Sequence, residues 1–214
     1  MMTSKVKSWS YSQLSDYELC SHAYMYRRII KLPEQPSYHL ITGNNVHMLA
    51  EKFLLGELEV LPTVLDKFNK EFYNLRSKNA APEEAFVFNN KWELIKDGWE
   101  DSNAWLRLKL DARIGNYIID FKTGKKYDSH KTQGKLYANA YMMHDKSVDE
   151  VDVEFWYLKD GDVVSYTFYR KDLEADIADW ERRVAIMHND KSYNPTPHQW
   201  CRNCYVKHLC KNYS

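Results

Sequence analysis

The sequence is short of several things, and each shortage narrows the reading. Glycine is scarce, at seven residues in 214, within an otherwise ordinary globular composition. No apolar run approaches the ~18–20 residues of a membrane span, so no membrane partner is expected. The opening Met-Met-Thr-Ser-Lys-Val-Lys-Ser-Trp lacks the apolar segment of a secretory leader, and a cytoplasmic protein is expected. Net charge is also lacking: 30 Lys and Arg balance 30 Asp and Glu. The chain as a whole therefore gives no electrostatic argument for a nucleic-acid partner, and any such site must be built from local clusters. Candidate clusters are Arg27, Arg28 and Lys31; Lys122, Lys125 and Lys126 with Lys131 and Lys135; and Lys207 with Lys211. There are only four cysteines, Cys20, Cys201, Cys204 and Cys210. In a reducing compartment they are poor disulfide candidates, and the C-x-x-C-x5-C spacing of the last three resembles a soft-metal clamp. Four thiolates suit either zinc or an iron–sulfur cluster, and His198 and His208 are spare potential ligands.

What the sequence does have is a central hairpin. From Leu106 to Ile114 apolar residues alternate with Arg107, Lys109, Asp111 and Arg113, the period-2 pattern of a half-buried strand. Gly115-Asn116 supplies a two-residue turn, and Tyr117–Lys122 returns. Counting outward from that turn places Ile114 opposite Tyr117, Arg113 opposite Ile118, Ala112 opposite Ile119 and Asp111 opposite Asp120. Opposed residues share a face, with Cβ atoms roughly 4.5–5.5 Å apart, and alternation adds Lys122 to it. Two facing carboxylates repel, and a divalent cation between them would make the pair stable. The competing reading is a hairpin whose charges merely face water.

Around this hairpin the pattern predicts a helix capped by Ser10 or Ser12 and running to about Arg28. A second opens at Thr42-Gly43 and runs to about Leu55, with His47 and Glu51 on one face. A third carries Leu61, Val64, Leu65, Phe68, Phe72 and Leu75 as a core face. Residues 77–83 read as a loop, followed by short strands at 85–88 and 92–95 and a polar connection at 97–103. After the hairpin come a helix from Asp128 or Ser129 to His144 with Gln133 and Tyr137 on one face, strands at 151–157 and 163–168 around Asp160-Gly161, and a helix from Leu173 to Met187 capped by Asp172. Asn194-Pro195-Thr196-Pro197 reads as a stiff linker to the terminal cysteines.

An aspartate on one strand followed by Asp120-Phe121-Lys122-Thr123-Gly124-Lys125 on the next resembles the PD-(D/E)XK nuclease superfamily, in its RecB-like branch. Three further motifs in order strengthen the resemblance: Ser10-x-Ser12 with Cys20, Gly43-x-x-Val46-His47, and Gln133-x3-Tyr137. Family members often have proline after the first cysteine, where this chain has Ser21. A first cysteine near the start and C-x-x-C-x5-C at the end look like the iron–sulfur staple of the AddB nuclease domain and of RecB-like CRISPR-associated nucleases.

The resemblance implies an α/β, restriction-endonuclease-like fold: a central mixed β-sheet flanked by helices, in one domain over 1–214. Its core would span about 40–190, and a staple would join about 10–30 to 195–214. It implies a metal-dependent DNA exonuclease, with Asp111, Asp120 and Lys122 as the cleavage site. Magnesium or manganese would be held by Asp111, Asp120, the main-chain carbonyl of Phe121 and His47. Glu51 is an alternate acid. Gln133, Tyr137 and Lys125 would lie near DNA, and Cys20, Cys201, Cys204 and Cys210 would hold a four-iron four-sulfur cluster in preference to zinc. The activity would belong to recombination, repair or phage DNA processing, with a separate helicase or recombination protein as partner. A non-cleaving DNA-binding or assembly module of the same fold is the alternative, although such a module has no need of all three cleavage residues. A zinc-stapled RNA-binding protein lacks a supporting aromatic–basic motif.

Overall fold

The computed structural model describes residues 8–212, so most of the opening segment on which the expectation of a cytoplasmic protein rests lies outside the described part. In chain order the elements are α1 (Tyr11–Leu19), α2 (Ser21–Tyr24), a π-helical stretch (Met25–Ile30), α3 (Tyr38–Leu54), a 3-10 stretch (Thr63–Phe68), α4 (Asn69–Ser77), β1 (Ala81–Phe88), β2 (Leu106–Ile114), β3 (Tyr117–Lys122), α5 (Ser129–His144), β4 (Glu150–Tyr157), β5 (Asp162–Tyr169) and α6 (Leu173–Asn189). No helix among the described residues is long and apolar enough to cross a membrane.

The five strands form one sheet in the order β1-β2-β3-β4-β5. β1, β2 and β3 run as an antiparallel meander, β3 pairs parallel with β4, and β4 pairs antiparallel with β5. The parallel pair requires a crossover, and α5 provides it. The sheet is therefore mixed, with helices on both faces. On one face α1, α5 and α6 pack over Leu106, Leu108, Leu110, Ile118, Val153 and Phe155. On the other, α3 and α4 cover Ala112, Ile119, Phe121 and Trp156, where Phe68 stacks on Trp156 at 4.9 Å between ring centres. β3 lies at the middle of the sheet, and Ile118 to Phe121 are all buried.

Five elements differ from the sequence reading. The expected third helix is a 3-10 stretch, Thr63–Phe68, followed by α4, with Leu61 ahead of both and Val64 exposed instead of in the core. The first helix breaks at Cys20, whose φ of −162° and ψ of 104° are extended; helical periodicity resumes at once, which is why the pattern reads straight through. α3 begins at Tyr38 with the Ser37 side chain accepting from Leu40 N. Gly43 thus lies inside the helix, where an added Cβ would come 3.2 Å from Thr123 Oγ1. Ala81 to Glu84 belong to β1 instead of a loop. Pro82 is tolerated there because β1 is an edge strand. Residues 92–95 form only an isolated bridge, between Leu94 and Phe88.

α5 lies close against β4 because Gly134 has no side chain. A Cβ there would sit 3.1 Å from the Phe155 ring and 3.2 Å from Val153 Cγ1. Gly134→Val should lower unfolding free energy by about 1–3 kcal/mol, the usual cost of overpacking. Gly124→Ala, at a site with nothing within 4 Å, should not. Urea unfolding of the two variants checks this, and equal midpoints would refute the close contact.

Candidate active site

The site forms where β2 and β3 part. Their ladder runs Ile114↔Tyr117, Arg113↔Ile118 and Ala112↔Ile119, the counted register, with Gly115 at φ 55° in the turn. The next predicted pair, Asp111 opposite Asp120, is not part of the ladder. Instead Asp111 Oδ2 accepts the backbone N–H of Phe121 at 2.7 Å. The even positions of β2 change core at the same place, Leu110 packing with the α5 side and Ala112 with the α3 side. A buried N–H must find an acceptor, and a carboxylate here takes the place of a strand carbonyl.

Asp111 Oδ1 is 3.1 Å from His47 Nδ1 on α3. Burial works against a charged His47, but the hydrogen bond and negative charge of Asp111, with Asp120 behind it, hold its pKa above the ordinary value. The Asp111 carboxyl is pushed upward by burial and by the charge of Asp120, against the pull of His47 and of Phe121 N–H. The charge of Asp120 thus reaches Asp111 although the two are not a ladder pair.

Sequence reading missed Glu83. It lies on β1 between the pairs Pro82↔Ala112 and Glu84↔Leu110, hence beside Asp111. Its φ of 51° is unusual for a residue with a side chain, a local strain of a kind that gathers at functional sites. One donor atom each from His47, Glu83 and Asp111 lies within 4.8 Å of the others, and among the described residues no other set of three His, Cys, Asp or Glu does so. Glu83 also pairs with Lys109 Nζ at 2.7 Å. Glu51, the alternate acid, borders the same cavity as His47 and Glu83 but is outside that group.

On the α5 side the residues close into a ring. Lys122 Nζ is 2.6 Å from Asp120 Oδ1 and donates to Gln133 Oε1 at 2.8 Å. Gln133 Nε2 donates to Tyr137 OH at 2.6 Å, and Tyr137 OH donates to Asp120 Oδ2 at 3.1 Å. Burial first, then the charges of Asp120 and Asp111, push the Tyr137 pKa far up, so its proton stays in place as a donor. Asp120 Oδ1 is buried and, among the described residues, accepts no hydrogen bond beside its ion pair with Lys122. An acceptor in that condition, beside His47, Glu83 and Asp111, fits a cation-binding site of mixed nitrogen and oxygen donors. Lys125 is exposed in the segment between β3 and α5.

The four cysteines, distant in sequence, line one cavity of about 200 Å³. The extended backbone at Cys20 interrupts the helical stretch there, and Cys201 and Cys210 flank two 3-10 turns. Protein contacts alone already join the two ends: Ser21 Oγ donates to Asn194 O at 2.9 Å, Tyr205 OH donates to Ala23 O at 3.2 Å, and Arg27 sits over the Tyr205 ring. Ser21, the departure from the family's proline, is one of those joints. His198 borders the cavity, with its Nδ1 accepting from Trp200 N; His208 does not border it.

His130, also missed in the sequence, stands one turn before Gln133 on α5. Its Nδ1 is 2.7 Å from Tyr157 OH and its ring stacks on Phe155. Burial and then the charge of Lys122 lower its pKa from 6.5 to about 4. The fold therefore favours the neutral ring. Its stabilising share is complete above the unfolded value of 6.5 and is lost as pH falls from there toward 4. His130→Gln should flatten that part of the stability profile; melting curves between pH 7 and 4 that run parallel to the wild type would contradict the assignment.

Comparison with known proteins follows the same line. The structure resembles that of "Putative exonuclease" from Eubacterium rectale, with a TM-score of 0.58 and 14% identity over 92% of this chain and 87% of that one. It also resembles SSO0001, with a TM-score of 0.51 and 14% identity over 97% of this chain and 87% of that one. At that identity the likeness is one of fold. Among curated proteins, none matches this chain. A sequence model of the PD-(D/E)XK nuclease superfamily matches residues 8–117 and 107–211, nearly the whole chain. With that match added to the acids, lysine and histidine gathered at the parted strands, the chain belongs to the PD-(D/E)XK nuclease superfamily.

Proposed function

We propose that this protein is a divalent-metal-dependent deoxyribonuclease that hydrolyses phosphodiester bonds at DNA ends. One observation carries the reading. A cation-ready group, His47, Glu83 and Asp111, adjoins a carboxylate, Asp120, that is locked to an ammonium group, Lys122. Magnesium or manganese would be held by Asp111, Asp120, His47 and the main-chain carbonyl of Phe121, with Glu83 as a further acid beside them. Such an ion, when bound, polarises a phosphate oxygen and acidifies water at neutral pH.

The chain's own groups do the rest. Lys122 is held on two sides by Asp120 and Gln133 and lies 5.3 Å above the Phe155 ring. A fixed positive charge in a half-buried place offsets charge that develops on the scissile phosphate, and it can orient the attacking water. Gln133 and Tyr137 position that ammonium and its carboxylate, and they border the space a strand would fill. Lys125, exposed beyond them, is a backbone-phosphate contact. The cysteine cavity supports a four-iron four-sulfur cluster over zinc. Its four thiolates suit either group, and the likeness of Cys20 with C-x-x-C-x5-C to the iron–sulfur staple of RecB-like nucleases favours the cluster. Exonuclease action, a cytoplasmic setting, service in recombination, repair or phage DNA processing, and a separate helicase or recombination partner complete the proposal.

Asp120→Ala and Lys122→Ala should each lower digestion of end-labelled DNA by about 100-fold or more. Calorimetry should show manganese binding weakened by the first and kept by the second. A Lys122→Ala enzyme that cuts at the wild-type rate would sink the assigned role. Protein purified without oxygen should be brown, with about four irons per chain, and Cys201→Ala should lose them. A colourless protein carrying one zinc per chain would contradict the cluster.

A further inference from the structure

A third cavity, of about 320 Å³, opens beside the lysine–acid ring, and Gln133 and Tyr137 border both. Ser10, Ser12, Lys109 and Trp99 also line it. The chemistry of this lining is mixed in an informative way. Ser10 caps α1 by accepting from Gln13 N at 3.3 Å, and the helix's first turn carries no acidic residue, so its positive end meets no carboxylate there. Lys109 adds an ammonium group, paired on one side with Glu83 at 2.7 Å and half exposed on the other. Trp99 is 41% exposed, and among the described residues its ring stacks on no other. Its loop is nevertheless held in place, because Arg107 Nε donates to Trp99 O at 2.6 Å. Two more lining residues carry buried, unpartnered polar atoms: Trp9, 1% exposed, at Nε1, and Gln13 at Oε1. Fixed donors, one ammonium, an open aromatic face and unmet polar atoms around one space mark a built ligand site.

We propose that this cavity seats the terminal nucleotide of a single DNA strand, an inference that rests on the nuclease reading and names its substrate. The base would lie on Trp99, the phosphate would meet the start of α1 and Lys109, and the adjoining linkage would reach Asp120 and Lys122. The volume is near the lower end of the roughly 300–1,000 Å³ typical of cavities that bury a small ligand. A space of this size suits one unpaired nucleotide better than a base pair. Stacking on an aromatic side chain tolerates any base, as an end-digesting enzyme requires.

The test compares wild type, Trp99→Ala and Trp99→Phe. Fluorescence anisotropy with EDTA present measures binding of a short labelled single strand and of a blunt-ended hairpin. The wild type should prefer the single strand. Trp99→Ala should bind it about tenfold more weakly, and Trp99→Phe should restore most of the loss. Hairpin binding, melting temperature and iron content should not change. With magnesium, Trp99→Ala should raise KM for the single strand more than it lowers kcat. Equal single-strand affinity in wild type and Trp99→Ala, or a wild-type preference for the hairpin, overturns this inference while leaving a cutting wild type as a nuclease. A wild type that cuts no DNA overturns both.

Discussion

Everything in the site depends on Asp111 accepting a main-chain N–H that the β2–β3 ladder gives up. Phe121 N–H lies in the central strand, where an unpaired donor costs about as much as a lost hydrogen bond. One carboxylate oxygen meets that need and the other faces His47. The strands can therefore separate without leaving an orphan, and the gap brings the α3-side group of His47 and Glu83 up to the α5-side group of Asp120 and Lys122. The arrangement costs something: Asp111 is buried near another acid, and its proton affinity rises accordingly. It persists because each carboxylate has donors of its own and because charge of opposite sign stands within reach on both sides.

α5 is the second constraint. His130, Gln133 and Tyr137 fall at i, i+3 and i+7, one face of a helix, and Gly134 lets that face lie against β4. The face that carries the candidate-site side chains and the closest-packed face thus coincide. A helix set a few tenths of an ångström further out would lengthen the Tyr137–Asp120 and Lys122–Gln133 bonds together, since both cross the same interface. Packing density in the core is in this sense the reason the ring closes.

How much of this the residues announced depends on what kind of signal each carried. The hairpin register was legible because the two-residue turn at Gly115-Asn116 leaves only one way to count. Helix α5, strands β4 and β5, and helix α6 were legible because their apolar periods run unbroken between clear turns. The parting of the strands was not, since alternation of side chains says which face a residue takes but not where a ladder stops. Glu83 was hidden by Pro82, which reads as loop unless the strand is known to be an edge. Gly43 looked like a helix start, because its use as a place where α3 comes close to Thr123 exists only in the folded chain. His130 had no partner in sequence to mark it: Tyr157 and Phe155 reach it across a crossover.

The cysteine staple and the site meet through α1. That helix holds Ser10 at one end, beside the lysine–acid ring, and Cys20 immediately past the other. Trp9 bridges to Leu106 in β2, and Glu18 pairs with Arg183 on α6 at 2.7 Å, so α1 is tied to the sheet at its start and to the helical layer at its finish. Holding Cys20 against Cys201, Cys204 and Cys210 closes a loop containing nearly all of the chain. The entropy of that closure grows only slowly with loop length, and contacts between the ends, such as Tyr205 OH donating to Ala23 O, oppose it. With a net charge of zero, the protein has no long-range field to gather a polyanion. Recognition must then come from short-range groups fixed in place before contact, and anchoring α1 at both ends is how this fold fixes them.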